Sequence, residues 1–139
     1  MDKTILYIEK FNSQTKIHFI DDYLEIVDIS PLKYINSLCL KELTTLDGRI
    51  EAIKINFNIV KNVPIYITDN LILFKINNKN KLDNIYINSV YIKHIIDLID
   101  YIKIVFYDDQ FVLVKNNYHI INNTYEKCLK IKKQINQFY

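Results

Sequence analysis

Residues 30–49 read SPLKYINSLCLKELTTLDGR, and this stretch divides a strand-like start from a mixed remainder. Ser30 before Pro31 has the form of an N-cap followed by proline at the first helical position. Leu32, Ile35, Leu38, Cys39 and Leu43 then recur at helical spacing. The spacing predicts a helix over about residues 31–43. It should end before Thr44-Thr45-Leu46-Asp47-Gly48, where the only glycine of the chain is expected to supply a positive φ. Gly48, Pro31 and Pro64 are the expected structural anchors.

Upstream, Ile5 and Tyr7, then Ile17 and Phe19, alternate in strand fashion around a polar turn at Asn12-Ser13-Gln14-Thr15. A β-hairpin follows from this, with Leu24 to Ile29 as a third strand. Downstream, Ile53, Ile55, Phe57 and Ile59 alternate and predict a return to short β segments. Pro64 opens a strand over Ile65 to Thr68, and Asp69-Asn70 turns into Leu71 to Ile76. After a polar loop from Asn77 to Asn84, the segment Ile85 to Ile96 begins as strand. Tyr101 to Tyr107 and Phe111 to Lys115 flank Asp108-Asp109 as a hairpin. A last helix is expected over about Asn122 to Phe138. The fold class is therefore α+β, a mainly antiparallel sheet with two or three helices in one domain spanning residues 1–139.

Composition limits the function classes. No apolar run approaches the roughly 18 to 20 residues of a membrane span, and Met1-Asp2-Lys3 lacks a signal peptide's basic and apolar regions. A cytoplasmic protein with no membrane partner is expected. The two cysteines, Cys39 and Cys128, lack CxxC spacing, so they read as reduced, packed thiols. Ile, Asn, Lys and Tyr supply 71 of the 139 residues, and all four use AT-rich codons, so Asn-rich loops and the preference for lysine are partly mutational. The single arginine, Arg49, beside the single glycine, gains weight accordingly.

Net charge is only +2, but it is unevenly spread: −3 over residues 1–30, +4 over 31–95, −2 over 96–115 and +3 over 116–139. The basic middle and C-terminus suit an anionic partner met by two surfaces. Catalytic patterns are missing. His18, His94 and His119 are scattered without ligand spacing, Cys39 falls on an apolar helix stripe, and one glycine cannot build a phosphate loop. No enzyme, metal, cofactor or small-molecule substrate is expected.

Several short motifs keep a common register. Cys39, with Ser37 nearby, precedes Gly48-Arg49 by ten residues to the arginine. Pro64-Ile65, Leu73-Phe74, the segment Tyr86-Ile87-Asn88-Ser89-Val90-Tyr91-Ile92-Lys93 and Phe106-Tyr107-Asp108-Asp109 follow without a gap. In this register the sequence resembles the competence transcription factor family, ComK, over roughly residues 25–135. It departs from the family where Phe-Pro-Thr becomes Phe74-Lys75-Ile76 and where Cys-x-Trp becomes Asn84-Ile85-Tyr86. The family's basic, proteolysis-linked C-terminal extension also finds no counterpart in the residues given.

The resemblance implies an activator of DNA-uptake genes that binds AT-rich double-stranded promoter DNA through the minor groove as a homodimer or dimer of dimers. Arg, Lys and Asn suit that groove, whose A·T pairs offer only acceptors, and a narrow A-tract draws in a guanidinium. Arg49 is the first expected contact. Lys75, Asn77, Asn78, Lys79 and Lys81 form a second surface, and Lys130, Lys132 and Lys133 could hold phosphate. The competing reading of Arg49 is an ion pair with Asp47 or Glu51. The competing function is a degenerate family member acting as a protein-interaction module, with Tyr86, Tyr91 and Tyr101 at its contacts.

Overall fold

A computed structural model describes residues 3–79 and 83–138 of the chain. Among the described residues, nine antiparallel strands form two sheets, accompanied by three α-helices. The first sheet has the order β3-β2-β1-β6-β5-β4, and the second β7-β8-β9. Strands β1 (Ile5–Phe11), β2 (Gln14–Phe19) and β3 (Leu24–Val27) make the expected N-terminal meander, with Asn12 taking a φ of 56° in the first turn. Strands β4 (Ile65–Thr68), β5 (Leu71–Asn78) and β6 (Asp83–Asn88) complete the large sheet. Strands β7 (Ile92–Asp97), β8 (Ile102–Phe106) and β9 (Phe111–Val114) form the small one.

Two cores lie on opposite faces of the large sheet because successive strand residues point to opposite sides. On β5, Ile72 and Phe74 face the small sheet and the helix α3 (Tyr118–Phe138), where Phe106, Ile121 and Cys128 meet them. Leu73 faces the other way, toward Ile35, Cys39 and Leu46 of the helices α1 (Pro31–Lys41) and α2 (Leu46–Phe57). The apolar run of β5 thus serves both layers, which suits its place inside the sheet between β6 and the edge strand β4.

The Ser30-Pro31 helix start is present: the Lys33 amide donates to Ser30 Oγ at 3.4 Å, and Pro31 occupies the first turn of α1. Pro64, buried, leads into β4. Three expectations are overturned. Gly48 does not carry a positive φ; it lies inside α2, and Leu43, with a φ of 64°, makes the left-handed turn between the helices. Residues 53–57 belong to that same helix rather than to a strand. Thr45 caps it by accepting from the Gly48 amide at 3.0 Å, and Asn58 ends it with a φ of 55°. The apolar alternation of 53, 55, 57 and 59 coincides with a helical set, Leu46, Ile50, Ile53 and Phe57, and the cap decides between the two. Finally, α3 begins at Tyr118 instead of near Asn122, because Asn117 Oδ1 accepts from the amides of His119 (2.9 Å) and Ile120 (3.3 Å).

Gly48→Ala is consequently expected to change stability by less than about 1 kcal/mol, since the helical preference of alanine opposes crowding of the new methyl. That methyl would stand 3.1 Å from the hydroxyl oxygens of Thr44 and Thr45. Urea unfolding of the variant checks this, and a loss above about 2 kcal/mol would mean that the capping hydroxyls cannot yield.

Asn88, fully buried at the end of β6, ties strands of the large sheet to one another and to the turn that leads toward β7. Its Nδ2 donates to Ile5 O (2.8 Å) and Asn70 O (2.9 Å), and its Oδ1 accepts from the amides of Ile72 and Val90, each at 3.2 Å. Beside it, Ser89 Oγ donates to Ile72 O at 2.9 Å.

Candidate nucleic-acid interface

The end of the β5–β6 hairpin gathers the polar residues expected to meet an anionic partner. Lys75 and Asn77, two apart on β5, are exposed on one face, and exposed Lys79 follows in the turn. Asn84 of β6 stands opposite Asn77 in register and is also exposed. Sequence reading missed Asn84 as a partner for Asn77, because pairing register is set only when the hairpin closes. Lys10, near the end of β1, lies beside this group and reaches Asp83 Oδ1 at 4.0 Å.

Other expected residues are placed differently. Asn78 points to the opposite face, where it is buried and its Oδ1 accepts from the Lys115 amide at 3.1 Å. Lys79 N donates to Lys115 O at 2.9 Å, so the hairpin end is sewn to the residue after β9. Asn77 O accepts from Asn116 Nδ2 at 2.7 Å, which ties the same end to the start of α3. These bonds fix the backbone that presents Lys75 and Asn77. Lys81 lies outside the described residues.

On α3, Lys130 and Lys133 are exposed and three residues apart, while Lys132 is half-buried. Lys127, earlier on the helix, donates to Lys61 O at 3.1 Å and pins the loop that leads to β4.

Arg49 is half-buried on α2 and makes no ion pair with Asp47 or Glu51. Its Nη1 donates to Tyr66 O on the edge strand β4 at 3.0 Å, and its Nη2 to Glu42 O at 3.4 Å. The guanidinium therefore clips α2 to β4 and to the end of α1. It lines a cleft with Asp69, whereas Lys75 and Asn77 border a separate depression with Asn62 and Asn116.

Among the tyrosines considered for protein contacts, Tyr86 is buried in the core, and Tyr91 and Tyr101 are half-buried. Both thiols are buried, and burial raises the pKa of each, Cys128 to about 12. Neither should react with a disulfide reagent near about pH 8 in the native protein, since thiols so shifted stay protonated, and both should react once unfolded. Modification of one cysteine in native protein would overturn this. Among the described residues no group of three or more His, Cys, Asp or Glu could hold a metal ion, and no helix is long and apolar enough to cross a membrane.

The family model for the ComK protein matches residues 2–138. The chain belongs to the ComK family. ComK proteins are competence transcription factors, so the chain is a member of a family of transcription regulators rather than of enzymes. No curated protein and no solved structure matches it.

Proposed function

We propose that this ComK-family protein is a cytoplasmic, DNA-binding regulator that activates competence genes, reading AT-rich promoter DNA through the minor groove as a homodimer or dimer of dimers. Family membership over residues 2–138 carries this reading. The β5–β6 hairpin end supports it physically, with Lys75 and Lys79 for phosphates and Asn77 and Asn84 as donors toward the acceptors on the groove floor. Lys130 and Lys133 give a second phosphate-binding surface. Arg49, the first residue expected at the groove, gives two of its N–H groups to backbone carbonyls and so also holds α2 against β4.

Titrating matched AT-rich and GC-rich duplexes at two salt concentrations tests the proposal. Tighter binding to the AT-rich duplex and a steep salt dependence are the expected results. Equal, weak binding to both duplexes would overturn it. Sedimentation of the free and DNA-bound protein tests self-association, and a monomer in both states would remove that part.

One observation favours the second reading, a family member acting as a protein-interaction module. At the β7–β8 turn, Leu98 and Ile99 are exposed, Ile99 by 93 %, and Ile99 holds a φ of 76° that β-branched residues rarely adopt. Such an apolar tip beside Asp97 and Asp100 suits a protein surface better than a phosphate backbone.

A further inference from the structure

Arg49 is the only arginine of the chain, and its charge has no carboxylate partner among the described residues. Its Nε is buried and makes no hydrogen bond. A half-buried guanidinium served only by two carbonyls keeps donor capacity and positive charge unmatched, and such groups normally find an anion. Arg49 lines an open cleft of about 910 Å³ where α2, the end of α3 and the edge strand β4 converge. That volume lies within the roughly 300–1,000 Å³ of small-molecule sites.

The lining has two characters. Ala52, Ile53, Phe57 and Ile135 give an apolar wall, while Asn56, Gln134 and Asn136 contribute amides. Asp69 also lines the cleft, its Oδ1 accepting from the Tyr66 hydroxyl. One cation beside one carboxylate accommodates a single negative charge better than two. An apolar wall offers nothing to a phosphate backbone but buries a hydrocarbon body.

We infer that this cleft binds a small amphipathic monoanion, its carboxylate on Arg49 and its apolar part along Ala52, Ile53, Phe57 and Ile135. The ligand is an effector of the regulator, not a substrate. A bound carboxylate accepts from the second N–H groups of Nη1 and Nη2, beyond those given to Tyr66 O and Glu42 O, through charge-assisted hydrogen bonds. The site joins α2 to the end of α3, so occupancy braces two helices that cover opposite faces of the sheet.

Nitrogen-15 spectra of the full chain test this, because a single arginine gives a single arginine Nε–H correlation. Octanoate is the probe, with octan-1-ol and inorganic phosphate as comparisons carrying only the apolar part or only the charge. Octanoate should shift the correlation saturably, and the comparisons should do so at least about tenfold more weakly. Ala52→Phe, which fills the cleft and leaves Arg49 in place, should weaken octanoate by about tenfold or more. Asn56→Phe serves the same purpose if the first variant unfolds. No saturable shift with octanoate, an equal response to phosphate, or an unchanged affinity in a folded cleft-filling variant each overturns the inference. A shift produced by a short duplex and not by octanoate overturns it in favour of nucleic acid. None of these readings depends on whether the protein prefers AT-rich DNA.

Discussion

Replacing Asn88 with alanine is expected to lower the free energy of unfolding by about 3–5 kcal/mol, a large part of the roughly 5–15 kcal/mol that holds a typical domain together. The side chain is fully buried and makes four hydrogen bonds, all to backbone groups. Alanine leaves the carbonyls of Ile5 and Asn70 and the amides of Ile72 and Val90 without these partners in a place that water reaches poorly. Each orphaned group costs about 1–3 kcal/mol, and partial relaxation keeps the total below their sum. Asn88→Asp should be at least as damaging, because it loses both donors and sets a carboxylate against two carbonyl oxygens. Urea denaturation measures both variants. A loss below about 1 kcal/mol for alanine would mean that an ordered water replaces the carboxamide.

The second large effect is expected at the β5–β6 hairpin, and it rests on the proposed DNA binding. Lys75→Ala with Lys79→Ala should weaken AT-rich and GC-rich duplexes alike. Together they should reduce the magnitude of the slope of log affinity against log salt by up to about two units, about 0.9 for each phosphate that is no longer neutralised. Asn77→Ala should instead cost about 1–3 kcal/mol on the AT-rich duplex and less on the GC-rich one, since a base-edge contact carries sequence information and a phosphate contact does not. Stability should hardly change, because all three side chains are exposed. Fluorescence anisotropy on both duplexes reads these differences. If the double lysine variant keeps its affinity and salt slope, the interface lies elsewhere, with Lys130 and Lys133 the next residues to replace.

Where local chemistry is strong, sequence reading and structure agree. Ser30-Pro31 starts a helix through a cap and a proline that need no distant partner. The Asp108-Asp109 hairpin forms without glycine because aspartate tolerates the left-handed region, and Asp109 adopts a φ of 70° there. Family membership was also legible, from motifs in register over much of the chain, and the family match covers residues 2–138.

The misreadings share one cause. From Ile53 to Ile59 the apolar residues fit a strand and a helix almost equally, so the outcome depended on Thr45 upstream and on which surface needed covering. Rarity made Gly48 look like a turn residue, yet the turn fell on Leu43, held where Glu42 and Thr44 donate to Cys39 O.

Amino-acid order alone specified the α+β class, the first and last helices, most strands and the uneven charge, because caps, turns and apolar periodicity act within a few residues. Tertiary structure decided what rare or polar residues do. Asn88 became the buried tie between β1, β5 and the turn after β6, and Asn78 turned inward while its neighbour Asn77 faced solvent. Arg49 became a clip because the carbonyl of Tyr66, seventeen positions away, came within 3.0 Å. Such roles depend on distances between segments remote in the chain, and those distances exist only once both faces of the large sheet are covered.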